Sequence, residues 1–245
     1  MPGPQKARAI VLSSRPLGEA DRIVRLFTRE LGRADAVVKG VRKTTSRWGG
    51  RLEPFNVVDL LLHPGRSLYT VTQAQLVDVF ARLRTEREGL SAAAIVCEAA
   101  AGLTPEHEPE ERMFALLRNT LRELDKGISG RAVESPLVLG ALLKLLYEAG
   151  YLPVLDHCAA CGSGGRALGF SAARGGLVCG DCAGEAVPIT PEAVEALADA
   201  VSRSLADLRE RPSSPAAGEA LRDVHRLYAY QTGSRLRALR IAGVG

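Results

Sequence analysis

The sequence predicts an α+β chain in which a small five-stranded β-barrel precedes an α-helical domain carrying a tetracysteine insert. Three observations lead there. Short runs rich in Val, Ile, Leu and Thr recur between turn residues over about the first 80 positions. From about Leu76 the apolar spacing changes to the three- and four-residue steps of helices. Four of the five cysteines then fall as two close pairs.

The barrel is read from five runs: Ala7 to Ser13, Arg22 to Thr28, Ala34 to Val38, Asn56 to Leu62 and Ser67 to Thr72. Leu31-Gly32-Arg33 turns the chain between the second and third, and His63-Pro64-Gly65-Arg66 between the fourth and fifth. Five short strands in about 75 residues suit an OB-type barrel, an architecture that holds oligonucleotides. The expected domains are residues 1–78 and 79–245, with the cysteine element at about 156–186.

The helical part begins with Leu90 to Leu103, Ala-rich and apolar on several faces, which predicts a buried helix. Glu108 to Leu124 places Met113, Leu116, Leu117, Leu121 and Leu124 on one stripe of a charged helix. Pro136 to Ala149 is a third helix, ended by Gly150. Thr190-Pro191-Glu192 supplies a cap, a first-turn proline and an early acid for a helix running to about Arg209. Pro212 and Pro215 break the chain before a last helix, Ala216 to Ile241.

With 245 residues and 46% apolar content the chain can bury a sizeable core. Its apolar runs, such as Pro136 to Leu146, are interrupted well short of the roughly 20 residues of a membrane span. The N-terminus shows no small-residue cleavage site, so a cytoplasmic protein without a membrane partner is expected.

The cysteines read Cys158-Ala-Ala-Cys161, a gap of 17 residues, then Cys179-Gly-Asp-Cys182. Two residues between cysteines let both thiolates of a pair turn toward one ion, and Gly162 and Gly180 give each knuckle a permissive backbone. A disulfide framework is the competing reading, but a reducing cytoplasm would not keep it. One structural Zn2+ on Cys158, Cys161, Cys179 and Cys182 is therefore expected. Four thiolates close the coordination sphere, leaving no site for an activated water. His157 adjoins the first ligand as a surface residue or a partner of the ligands, and Cys97 is a small buried hydrophobe.

Net charge is +4, but residues 1–80 hold 13 Lys and Arg against 7 Asp and Glu, so the remaining chain sums to −2. The densest stretch, Lys39 to Arg51, has five cations and no acid in thirteen residues. Lys39, Arg42, Lys43, Arg47 and Arg51 there can neutralise phosphates, with hydroxyls at Thr44, Thr45 and Ser46 as further donors. The competing reading is a solvated basic face. Trp48 either stacks bases, at roughly 1 to 3 kcal/mol each, or packs in the barrel core; Phe55 is read as core. The last helix, with Arg222, Arg226, Arg235, Arg237, Arg240, Tyr228 and Tyr230, is a second basic surface or a solvated face.

With these pieces in hand, the chain resembles the bacterial RecO family over nearly its whole length. The resemblance is carried by Ala9 to Thr28, Lys39-Gly-Val-Arg42-Lys43, Ser46-Arg47, Leu52-Glu-Pro54-Phe55, Gly150 to Gly162, Phe170, Gly175-Gly176, Cys179 and Cys182. It implies an OB domain, a helical domain and a zinc element. It also implies a non-enzymatic mediator of DNA repair and recombination that binds single- and double-stranded DNA, anneals complementary strands and acts with RecR to load RecA on coated single strands. Single-strand-binding protein and RecF are further candidate partners, and a nucleoid-associated place in the bacterial cytoplasm is expected. DNA contact is carried to Lys39, Arg42, Lys43 and Arg47.

Two other classes compete. A metal-dependent hydrolase would want acids or histidines around an open metal, whereas His63, His107, His157 and His225 are scattered. A zinc-bearing OB-fold RNA-binding protein is open on composition, since such grooves accept either polymer.

Overall fold

Alternation of small and branched apolar residues along five strands builds the N-terminal barrel in the computed structural model, which describes residues 3–42, 46 and 48–243. Its strands are β1 (Gln5–Leu17), β2 (Asp21–Thr28), β3 (Gly32–Val38), β4 (Val57–His63) and β5 (Tyr69–Asp78). They close in the order β1-β2-β3-β5-β4, antiparallel except between β3 and β5. Ala7, Ala9 and Val11 of β1 point inward with Val24, Leu26, Ala36, Val38, Val58, Leu60, Leu62 and Val71. A bulge between Val11 and Ser13 lets the rest of β1 run on with β2 as a ribbon, Arg15 opposite Ile23. The five expected strands are all present, and the α+β class with an OB-like barrel holds.

Eight α-helices follow among the described residues: α1 (Arg82–Thr85), α2 (Arg87–Leu103), α3 (Glu111–Asp125), α4 (Pro136–Glu148), α5 (Pro191–Ser202), α6 (Leu205–Arg209), α7 (Pro215–Thr232) and α8 (Arg237–Ile241). The chain divides into two units, Met1–Ala81 with Thr104–Leu121, and Arg82–Leu103 with Arg122–Gly245. In the first, Phe27 on the outer wall of the barrel meets Phe114 of α3 with ring centroids 5.8 Å apart. The turn at Gly32 lies so close to the chain at Glu108 that a Cβ would sit 2.1 Å from its carbonyl oxygen.

In the second unit α4 is apolar nearly all round and packs against α2, α5, α6 and α7. Gly140 lets α6 approach, since a Cβ there would lie 2.3 Å from Leu208 Cδ1. Thr190 caps α5 as expected, its Oγ1 accepting from Ala193 N–H. The single helix expected to reach Arg209 is two: Ser204 accepts from Asp207 N–H and starts α6 afresh. The last helix is also divided, because Gly233 ends α7 at φ 67° before α8 begins. No described helix is long and apolar enough to cross a membrane.

Candidate metal centre and nucleic-acid surface

Between α4 and α5 the chain forms β6 (Ala167–Ser171), β7 (Gly176–Cys179) and β8 (Val187–Pro188), a small sheet in the order β7-β6-β8. Gly176 lets the first cysteine arm lie against this sheet, since its Cβ would sit 2.3 Å from the Val154 carbonyl. Leu177 N–H donates to that carbonyl, and Ala159 N–H donates to Leu177 O. The first pair is folded back on itself: Gly162 N–H donates to Cys158 O, Cys158 N–H donates to Ser163 O, and Gly162 takes φ 74°. The second pair leaves β7 at Cys179 and turns through a single 3-10 turn, Gly180–Cys182.

These elements bring the sulfurs of Cys158, Cys161, Cys179 and Cys182 within 4.8 Å of one another. Cys161 Sγ and Cys179 Sγ are 3.8 Å apart. An ion with four sulfurs at about 2.3 Å in a tetrahedron has edges of about 3.8 Å, so this donor set fits. The electrostatics agree. Backbone N–H groups of Cys179 and Cys161 hold the Cys158 thiol down to about 6, while neighbouring sulfurs of Cys161 and Cys179 push Cys182 up to about 12. One sulfur ionises readily and the crowding resists the next, a repulsion that a divalent cation relieves. His157 lies half exposed with its Nδ1 2.7 Å from Asp156 Oδ1. Cys97 is buried on α2, where desolvation raises its thiol.

The expected basic loop leaves β3 at one end of the barrel. Lys39 and Arg42 are exposed and Arg51 is half-buried, while Lys43 and Arg47 lie outside the described residues. Arg42 also acts locally. Its N–H donates to Ala20 O and its Nη1 to Gly18 O at 3.0 Å, tying the loop to the β1–β2 turn. Gly40 N–H donates to Asp21 Oδ1 and reinforces that tie. Arg51 Nη1 donates to Trp48 O. Of the two readings of Trp48 the structure takes the core: the ring is buried among Ala36, Val38 and Leu52, and its Nε1 donates to Lys39 O. Phe55 is buried as expected, at φ 74°.

Two features escape a reading of the sequence. The buried Asn56 donates from Nδ2 to both Gly50 O and Arg51 O, so it shapes the loop from beneath. The N-terminal cations are also sorted by pairing. Arg8, Arg22, Arg25, Arg29 and Arg33 meet Asp59, Glu53, Asp35, Glu111 and Glu106. Among the described residues no such carboxylate partner is found for Lys39, Arg42 or Arg15, nor for Lys6 and Arg66 elsewhere on the barrel, so Lys39, Arg42 and Arg15 leave the loop and the ribbon with uncompensated charge.

Residues 1–80 match the family described as recombination protein O N terminal, and residues 84–240 match recombination protein O C terminal. The chain belongs to the RecO family. It is 46% identical to the DNA repair protein RecO of Frankia casuarinae over 194 residues, 78% of each chain. The corresponding protein of Rubrobacter xylanophilus is 38% identical over 232 residues, 91% of this chain and 90% of that one. With that of Cutibacterium acnes the identity is 41% over 178 residues, 71% and 72% of the two chains. The RecO family match thus spans both the barrel with its loop and the segment with the four cysteines.

Proposed function

We propose that this chain is a DNA-binding recombination mediator of the RecO kind, acting in double-strand-break and gap repair without catalysing a reaction. The observation that carries the reading is the end of the barrel where Lys39 and Arg42 stand without carboxylate partners among the described residues, in a chain whose relatives are DNA repair proteins. Residues 1–78 serve as the OB-type nucleic-acid-binding domain and residues 79–245 as the helical domain with its metal element. Lys39, Arg42, Lys43, Arg47 and Arg51 contact phosphates, and Trp48 supports the loop from the core.

The mechanism is electrostatic. Each phosphate neutralised by Lys or Arg releases condensed counterions, which drives binding and makes it fall steeply with salt. Two strands held on one cationic surface repel each other less, so complementary segments meet at higher local concentration. Single- and double-stranded DNA are both ligands, RecR is the partner for loading RecA on coated strands, and single-strand-binding protein and RecF are further partners. The protein works in the cytoplasm on the nucleoid.

Cys158, Cys161, Cys179 and Cys182 hold one Zn2+, which when bound cross-links the two knuckles. The segment between α4 and α5 buries few large side chains of its own, Phe170, Leu177 and Val178 among them, so that cross-link supplies much of its stability.

The deciding experiment is the annealing rate of complementary oligonucleotides precoated with single-strand-binding protein, with and without the chain, at low and moderate salt. Acceleration that fades with salt is expected. Tight binding without acceleration, or preference for RNA in competition, would overturn the mediator reading in favour of a zinc-bearing OB-fold RNA-binding protein.

A further inference from the structure

The four cysteines differ sharply in access. Cys158 is 3% exposed, Cys179 and Cys182 are partly covered, and Cys161 lies on the surface. The sulfur of this exposed residue lies 3.8 Å from that of Cys179 on the other knuckle. Sulfurs so placed need to close by less than 2 Å to reach the roughly 2.05 Å of a disulfide. Cys161 stands in a turn closed by Gly162 at φ 74°, outside any strand or helix, where the backbone has room to give. Metal-bound cysteine is thiolate, the nucleophilic form of the residue.

We propose that Cys161 is an oxidation site, and that hydrogen peroxide converts Cys161 and Cys179 to a disulfide that expels the metal. This rests on the four-cysteine metal site proposed above. In the first step the Cys161 thiolate attacks one peroxide oxygen; the S–O bond forms, the O–O bond breaks, and hydroxide leaves, leaving a sulfenic acid. In the second the Cys179 thiolate attacks that sulfur; the S–S bond forms, the S–O bond breaks, and a second hydroxide leaves. Two electrons pass from the thiolate pair to the peroxide, and two protons from solvent complete two waters. The ion, left with Cys158 and Cys182, has lost half its donors and dissociates. A dithiol reductant with fresh zinc reverses the change.

The test treats the full metal-loaded chain with hydrogen peroxide, reads released metal with a chromophoric chelator, and maps disulfides by alkylation and peptide mass spectrometry. One metal released per chain, with a Cys161–Cys179 disulfide that a dithiol reduces, is expected. Cys161→His keeps four donors of a type zinc accepts while removing the accessible thiol, so its metal should leave at least about tenfold more slowly. A disulfide mapped to another pair, or metal retained through doses that oxidise a free thiol, would overturn the inference even if the variant fails to fold. Should the purified chain carry no metal, the metal site itself is wrong; the disulfide map then still decides the site of oxidation.

Discussion

The indole Nε1 of Trp48 donates to the carbonyl oxygen of Lys39 at 2.9 Å. One buried ring thereby ties together two residues nine positions apart and fixes where the chain leaves β3. Trp48→Ala should cost about 3 to 5 kcal/mol in denaturant unfolding, as large buried rings do. Trp48→Phe keeps most of the packing but strands the Lys39 carbonyl, so about 1 kcal/mol is expected. In both, loss of oligonucleotide affinity should track loss of stability. Affinity lost from a fully stable Trp48→Phe would make the ring a stacking platform instead.

Replacing Lys39, Arg42 and Arg47 together by Ala should weaken single-strand binding and lower the slope of log affinity against log salt by about 2, at about 0.7 for each phosphate no longer neutralised. Titration by fluorescence anisotropy at several salt concentrations reads both quantities. Arg42 also holds Gly18 O, so the β1–β2 turn should lose amide protection in this variant while the barrel strands keep theirs. Unchanged affinity would move the DNA contacts off the loop.

How much of this is legible in the sequence depends on how far apart the deciding residues lie. The cysteine cluster is readable because two-residue spacing is a local geometric statement, and the barrel strands because alternation is local too. The first run reads as ending at Ser13, yet β1 pairs on to Leu17: beyond the bulge the β1 arm itself, Ser13-Ser-Arg-Pro-Leu17, is polar and mostly exposed, so no apolar alternation marks it. Ser204 with Asp207 three residues on is a capping pattern, and Gly233 a helix stop; both escape notice because the apolar periodicity continues across them. Charge pairing is beyond reach. The partners of Arg8, Arg29 and Arg33 lie 51 to 82 residues away, so a net +6 over residues 1–80 gives no hint of which cations are compensated.

Removal of the metal by a strong chelator, or Cys179→Ser, should cost the segment from Val154 to Ile189 its amide protection, because the hydrogen bonds from Cys158 to Ser163 and from Ala159 to Leu177 are braced by the paired knuckles. Hydrogen exchange with mass spectrometry reads this directly, alongside metal content. The barrel strands should be unaffected. One metal per chain in Cys179→Ser would refute the ligand assignment.

The last expectation concerns a buried acid that no pattern in the sequence singles out. Asp223 on α7 is 1% exposed; its Oδ1 accepts from Arg226 and its Oδ2 has no partner among the described residues. Burial pushes its carboxyl up to about 6, against the pull of Arg226 in the other direction. The folded state therefore binds a proton that the unfolded chain, near 3.9, has already released, and stability falls as pH rises from about 4 to about 6. Above that window the folded chain carries the full cost of an ionised buried acid, on the order of 2 to 3 kcal/mol. Asp223→Asn keeps an oxygen for Arg226 and removes the charge, so it should be the more stable form at pH 7 and lose that advantage below about pH 4. Unfolding of both proteins in urea across this range measures it, and a difference independent of pH would mean that Asp223 does not titrate in the folded chain.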